Sequence, residues 1–116
     1  MNREGFAIGA VASLTFAAFV AFVEGCDPGE SVPTIDCSTA AVPRYSELGE
    51  ALSYCTRCHG AGRGDAGVAL ATYDDAVSVA DESVDAIADG SMPPRGAMPE
   101  AQRQAFYTWA QCGAPE

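Results

Sequence analysis

Cys55-Thr56-Arg57-Cys58-His59 is the run of residues whose types and spacing define a chemistry. Two thiols three residues apart lie on neighbouring edges of a helical turn, where both reach the vinyl groups of one porphyrin. The adjoining imidazole then falls beneath the iron as its proximal ligand. The expected cofactor is therefore one haem c, bound covalently through Cys55 and Cys58, with His59 as an axial ligand of its iron. A zinc site would need two further ligands of suitable spacing. His59 is the only histidine, and Cys37 and Cys112 stand isolated. A thioredoxin-like dithiol would need a βαβ setting, and the sequence offers none.

The second axial position decides between electron transfer and the binding of small molecules. Met92 and Met98 are the candidates, because Met1 lies in the N-terminal signal segment. A thioether is a soft ligand that favours ferrous iron and raises its potential. Met92 stands in Ser91-Met92-Pro93-Pro94, where the prolines stiffen the backbone behind the sulfur. Met98 also precedes a proline, so proline alone does not discriminate; lying directly before the last helix, it reads equally as a core plug. Met92 is the expected ligand, Met98 is the alternative, and an open position is the third reading.

These residues need elements to position them, and the pattern is all-α. A first helix is expected from about Pro43 to Tyr54, with Leu48, Ala51, Leu52 and Cys55 on one face. A glycine-rich loop, HGAGRGDAG, follows. A second helix starts after Thr72, its N-cap, with Asp75 in the capping-box position, and reaches about Val79. A third covers Ser83 to Asp89 with Gly90 as its stop, and the last runs from about Pro99 to Gln111. The apolar face of that last helix is Ala105, Phe106, Trp109 and Ala110, with Phe106 and Trp109 structural. No strand is expected.

The 116-residue chain carries a net charge of −10 and no lysine. Six scattered arginines do not make a phosphate-neutralising patch, so no nucleic-acid partner is expected. The acidic surface suits docking on basic partner proteins. Phe6 to Val23 runs without a charge, as in an export signal, and is also just long enough for a membrane anchor. Val23-Glu24-Gly25-Cys26 resembles a bacterial lipobox, although Glu24 departs from its usual small uncharged residue. Cys26 is thus read as lipidated, with an uncleaved anchor, ordinary cleavage or a disulfide at Cys26 as alternatives. Every reading sends the rest of the chain to an oxidising compartment. Residues 1–25 form the signal or anchor, 26–42 a flexible tether, and 43–116 the folded domain, which is small enough to need a staple. If haem takes two thiols and lipid takes Cys26, Cys37 and Cys112 remain to pair. Otherwise Cys26–Cys37 is open to form, with Cys112 a free thiol.

The stretch from Tyr45 to Pro115 resembles a class I cytochrome c domain of the short bacterial exported or lipoprotein kind. CTRCHG, DGSMPPRG and FYTWAQCGAP carry the resemblance, in that order. It implies a small monohaem cytochrome c fold of about four short helices, with a ligand Met immediately before a proline and the terminal helix packed across the first. It also implies an electron-transfer protein, not an enzyme, shuttling single electrons between redox partners on the periplasmic side of a membrane. The family often orients its histidine with a proline carbonyl soon after the motif, but no proline lies between His59 and Met92, so no acceptor can be named. Arg57, Arg63 and Arg95 are candidates for the haem propionates, and Tyr54 and Tyr73 for the pocket wall. The other readings are a haem-based sensor with an open sixth position, a peroxidase-like enzyme and a domain whose haem is structural.

Overall fold

The computed structural model describes residues 31–62, 64–94 and 98–116. The apolar segment 1–25, Cys26, Arg63 and Arg95 lie outside them. Every regular element among the described residues is helical: α1 (Gly49–His59), α2 (Tyr73–Ser78), α3 (Ala80–Ala88) and α4 (Glu100–Gln111), with short 3-10 turns at Tyr45–Glu47 and Asp65–Gly67. None of these helices is long and apolar enough to cross a membrane.

The first helix is displaced along the sequence from its expected place. Residues 45–47 form a separate turn, capped by the Arg44 N–H donating to the Glu47 carboxylate at 2.8 Å. α1 then runs on through Cys55, Cys58 and His59. No Pro or Gly interrupts it between Glu50 and His59, and Gly60 ends it. A Cβ on Gly60 would lie 2.7 Å from the Thr56 carbonyl oxygen, so the exit from the helix requires a glycine.

α2 starts where the capping chemistry places it, with the Thr72 hydroxyl accepting from the Asp75 N–H at 3.2 Å. α3 begins at Ala80 instead of Ser83, so a single residue, Val79 at φ −127 and ψ 23, divides it from α2. Gly90, at φ +78, stops it as expected.

Leu48, Leu52, Leu70, Val84, Ile87, Met98, Phe106 and Trp109 share one core. α4 packs against both α1 and α3. That double contact explains why Tyr107 is buried beside Phe106 and Trp109, widening the face that periodicity alone assigns. The C-terminus hooks back beneath the helices. The Trp109 indole N–H and the Tyr45 N–H both donate to the Pro115 carbonyl, each at 2.9 Å. The Tyr73 hydroxyl donates to the Ala114 carbonyl at 2.9 Å.

Cys37 and Cys112 form a disulfide with their Cα atoms 5.4 Å apart. The described part of the segment read as a tether lies along the end of α4. Val32 packs on the core, and the Gln111 side chain donates to the Pro33 carbonyl at 3.0 Å. A turn over 36–40 presents Cys37, with the Asp36 carboxylate accepting from the Ser38 N–H at 3.0 Å.

Candidate functional site

A cavity of about 430 Å³ opens between α1, the loop that follows it, α3 and the loop after α3. Its volume falls in the range of small-molecule and cofactor pockets, roughly 300–1,000 Å³. Tyr54, Cys55, Cys58 and His59 line it from α1. Val68 and Leu70 supply a second wall, and Val79, Ala86 and Ile87 a third. Met92, Pro93 and Pro94 complete it.

Neither Cys55 nor Cys58 is in a disulfide; Cys55 is half-buried and Cys58 exposed. Burial pushes the Cys55 thiol above its ordinary value. Both thiols are presented by one helical surface to one cavity, as covalent attachment of a planar group requires. No group of three or more His, Cys, Asp or Glu side chains gathers to hold a bare metal ion among the described residues. Two thiols, one imidazole and one thioether do line the one cavity, and thiols for the vinyl groups with two ligands for the iron fit a porphyrin.

His59 is held at two points. Its Nδ1 lies 2.9 Å from the Val68 carbonyl oxygen, and its own carbonyl accepts from the Leu70 N–H at 2.7 Å. A carbonyl can only accept, so Nδ1 carries a proton, and in the neutral ring Nε2 is the nitrogen available to a metal. Val68 is the acceptor that no sequence signal identified. It is a main-chain group, reached because the glycine-rich loop folds back on α1, and its side-chain type is irrelevant to the bond.

The two methionines separate cleanly. Met98 is 2% exposed in the hydrophobic core, whereas Met92 is 40% exposed and stands in the cavity wall. The end of α3 sets the position of Met92. Its N–H donates to the Ala86 carbonyl at 3.0 Å, and the preceding Ser91 N–H donates to the Asp89 carboxylate at 2.8 Å. Hydrogen bonding from the Ser91 side chain and from its N–H holds the Asp89 carboxyl below its ordinary value.

Of the other candidates, Tyr54 lines the cavity and Tyr73 does not, its ring packing edge-on against Tyr45. Arg57 is exposed on α1 with its guanidinium 5.7 Å from the centre of the Tyr54 ring. Asp65 and Glu82 place exposed carboxylates at the cavity. Comparison of the chain with protein-family models, with curated proteins and with solved structures finds no match.

Proposed function

We propose that this chain is a single-haem electron carrier. Cys55 and Cys58 hold haem c through thioethers, and His59 and Met92 are its axial ligands, in a domain of the class I cytochrome c type. The observation that carries this reading is the convergence of those four side chains on one apolar cavity, with Met98 buried elsewhere. When bound, the haem supplies a one-electron couple at its iron.

The chain's own residues do the rest. Val68 fixes the His59 ring with Nε2 free and raises its basicity as a ligand. The α3 terminus and the two prolines limit the motion of Met92, so ligation has little conformational entropy left to remove. Val68, Leu70, Val79 and Ile87 keep water from the cavity wall and favour the less charged, reduced state. With its one histidine committed to iron, the chain is read as a carrier and not as an enzyme. Asp65 and Glu82 beside the cavity suit transient, salt-sensitive docking on basic partner surfaces. Export, with lipidation at Cys26 or retention of the apolar segment, places the carrier on the periplasmic side of a membrane.

Pyridine haemochrome spectroscopy of the exported protein tests the attachment, and a spectrum of unmodified haem or of none sinks it. The near-infrared band of a ferric methionine–iron bond tests the ligand, and it is expected to vanish in Met92→Ala. Ready binding of carbon monoxide by the ferrous protein at neutral pH would instead establish an open sixth position and the sensor reading.

A further inference from the structure

We infer that Gly64 is a positioning residue for His59: it allows two stretches of backbone to touch and thereby fixes the Val68 carbonyl that holds Nδ1. The inference rests on the reading of His59 as an iron ligand and goes beyond it by naming what sets the ring.

The argument begins with the path of the loop. After Gly60 the chain turns out and comes back through a tight turn that opens at Gly64. The Gly67 N–H donates to the Gly64 carbonyl at 2.9 Å, and the Val68 N–H to the Asp65 carbonyl at 3.3 Å. Val68 leaves that turn with its carbonyl on the imidazole, and Leu70 bonds the main chain of the same histidine. The height of the turn therefore sets the height of the acceptor.

At Gly64 a Cβ would lie 3.0 Å from the Val68 carbonyl oxygen and 3.2 Å from both its C and its N. All three are backbone atoms of the residue that carries the acceptor, and none is the end of a flexible side chain. Gly64 itself has φ −80 and ψ 90, a negative φ open to L residues. What the position requires is the absence of a methyl group, not the freedom of glycine. Gly62 is the reverse case, with φ +69 and no atom within 4 Å of a built Cβ. One glycine bends the loop, and the other lets it close on Val68.

An alanine at 64 must move the Val68 peptide by a few tenths of an ångström. The bond from Nδ1, now 2.9 Å, lengthens and tilts, and its strength falls steeply with both. The imidazole loses part of its orientation and becomes a weaker base toward iron.

The test uses the full exported protein labelled with ¹⁵N-histidine, in which His59 is the only histidine and its ring signals need no assignment. In ferrous Gly64→Ala the Nδ1 proton is expected to exchange with solvent about five- to tenfold faster than in the parent, the factor equivalent to the net free energy of one hydrogen bond. The reduction potential is expected to rise, because a less basic imidazole stabilises ferric iron less. Gly62→Ala strains the loop without pressing on Val68 and should leave both readouts in place. Insertion of one glycine after Gly64 separates the same backbones without a methyl and should also quicken exchange; it decides the matter alone if the alanine variant does not fold. Unchanged exchange in the Gly64 variants, or an equal change in Gly62→Ala, overturns the assignment. The exchange rate is read on the haem-loaded protein. Where the haemochrome is negative, the ¹⁵N shifts of the His59 ring in the haem-free parent and Gly64→Ala still report the bond from Nδ1 to Val68, so the functional reading falls while Gly64 is decided separately.

Discussion

Substituting the two methionines one at a time separates stability from ligation. Met98 is 2% exposed and packed among the core side chains. Truncating it to alanine removes its transfer free energy and leaves a cavity that neighbours fill only in part, so Met98→Ala should cost about 2–5 kcal/mol. Met92 is 40% exposed at an already open cavity wall, so about three-fifths of a full burial term is at stake and no enclosed void forms. Taking roughly 1.5–3 kcal/mol for complete burial of a methionine, Met92→Ala should cost only about 1–2 kcal/mol through burial. If Met92 binds iron as proposed, the loss of the iron–sulfur bond adds to that figure in the haem-loaded protein. The assay is denaturant unfolding of both variants, in parallel with the near-infrared spectrum of the ferric protein. Met98→Ala is expected to unfold at markedly lower denaturant while keeping the methionine–iron band. Met92→Ala is expected to lose the band while its haem-independent stability stays closer to that of the parent. A band lost in Met98→Ala and kept in Met92→Ala would refute the reasoning, because it would place the ligand sulfur in the core.

The Cys37–Cys112 bridge spans a sequence separation of 75, and the chain-entropy model assigns such a loop about 4.5 kcal/mol. The double alanine variant should lose stability of that order in urea unfolding, and a loss under about 1 kcal/mol would show that the 31–42 segment contributes little to the fold. Trp109→Phe removes the indole donor to the Pro115 carbonyl at a fully buried site. It should cost about 1–3 kcal/mol by thermal unfolding, with proteolysis of the C-terminal hook as a second readout. Asp89 has its folded pKa depressed by the Ser91 bonds, so its contribution to stability is present above the unfolded carboxylate value, near 3.9, and is lost as pH falls through the lower folded value. The melting temperatures of the parent and Asp89→Ala should therefore differ at pH 6 and converge as pH drops below about 4; a constant gap would assign the effect to helix geometry instead.

Much of the site was legible because its parts are local. The Cys-Thr-Arg-Cys-His spacing is a property of one helical turn, and it places two thiols and an imidazole together whatever the rest of the chain does. The Thr72 cap and the Gly90 stop were equally readable, since each depends on a side chain or a φ value within a few residues. The start of α1 was not, because Tyr45 gives its N–H to the distant Pro115 carbonyl and the chain makes a separate turn before Gly49. The 31–42 segment reads as unstructured by composition, yet Gln111 and Cys112 hold it on α4 from the far end of the sequence.

The sequence by itself determined the donors: two thiols and an imidazole at fixed spacing, two methionines eligible for the remaining position, and two cysteines left to pair. Tertiary structure decided what each of them faces. It buried Met98 in the core and put Met92 in the cavity wall, a choice their similar Met-Pro settings could not make. It also brought the Val68 carbonyl to His59, because a main-chain acceptor has no residue signature and only the folded path of the loop can aim it.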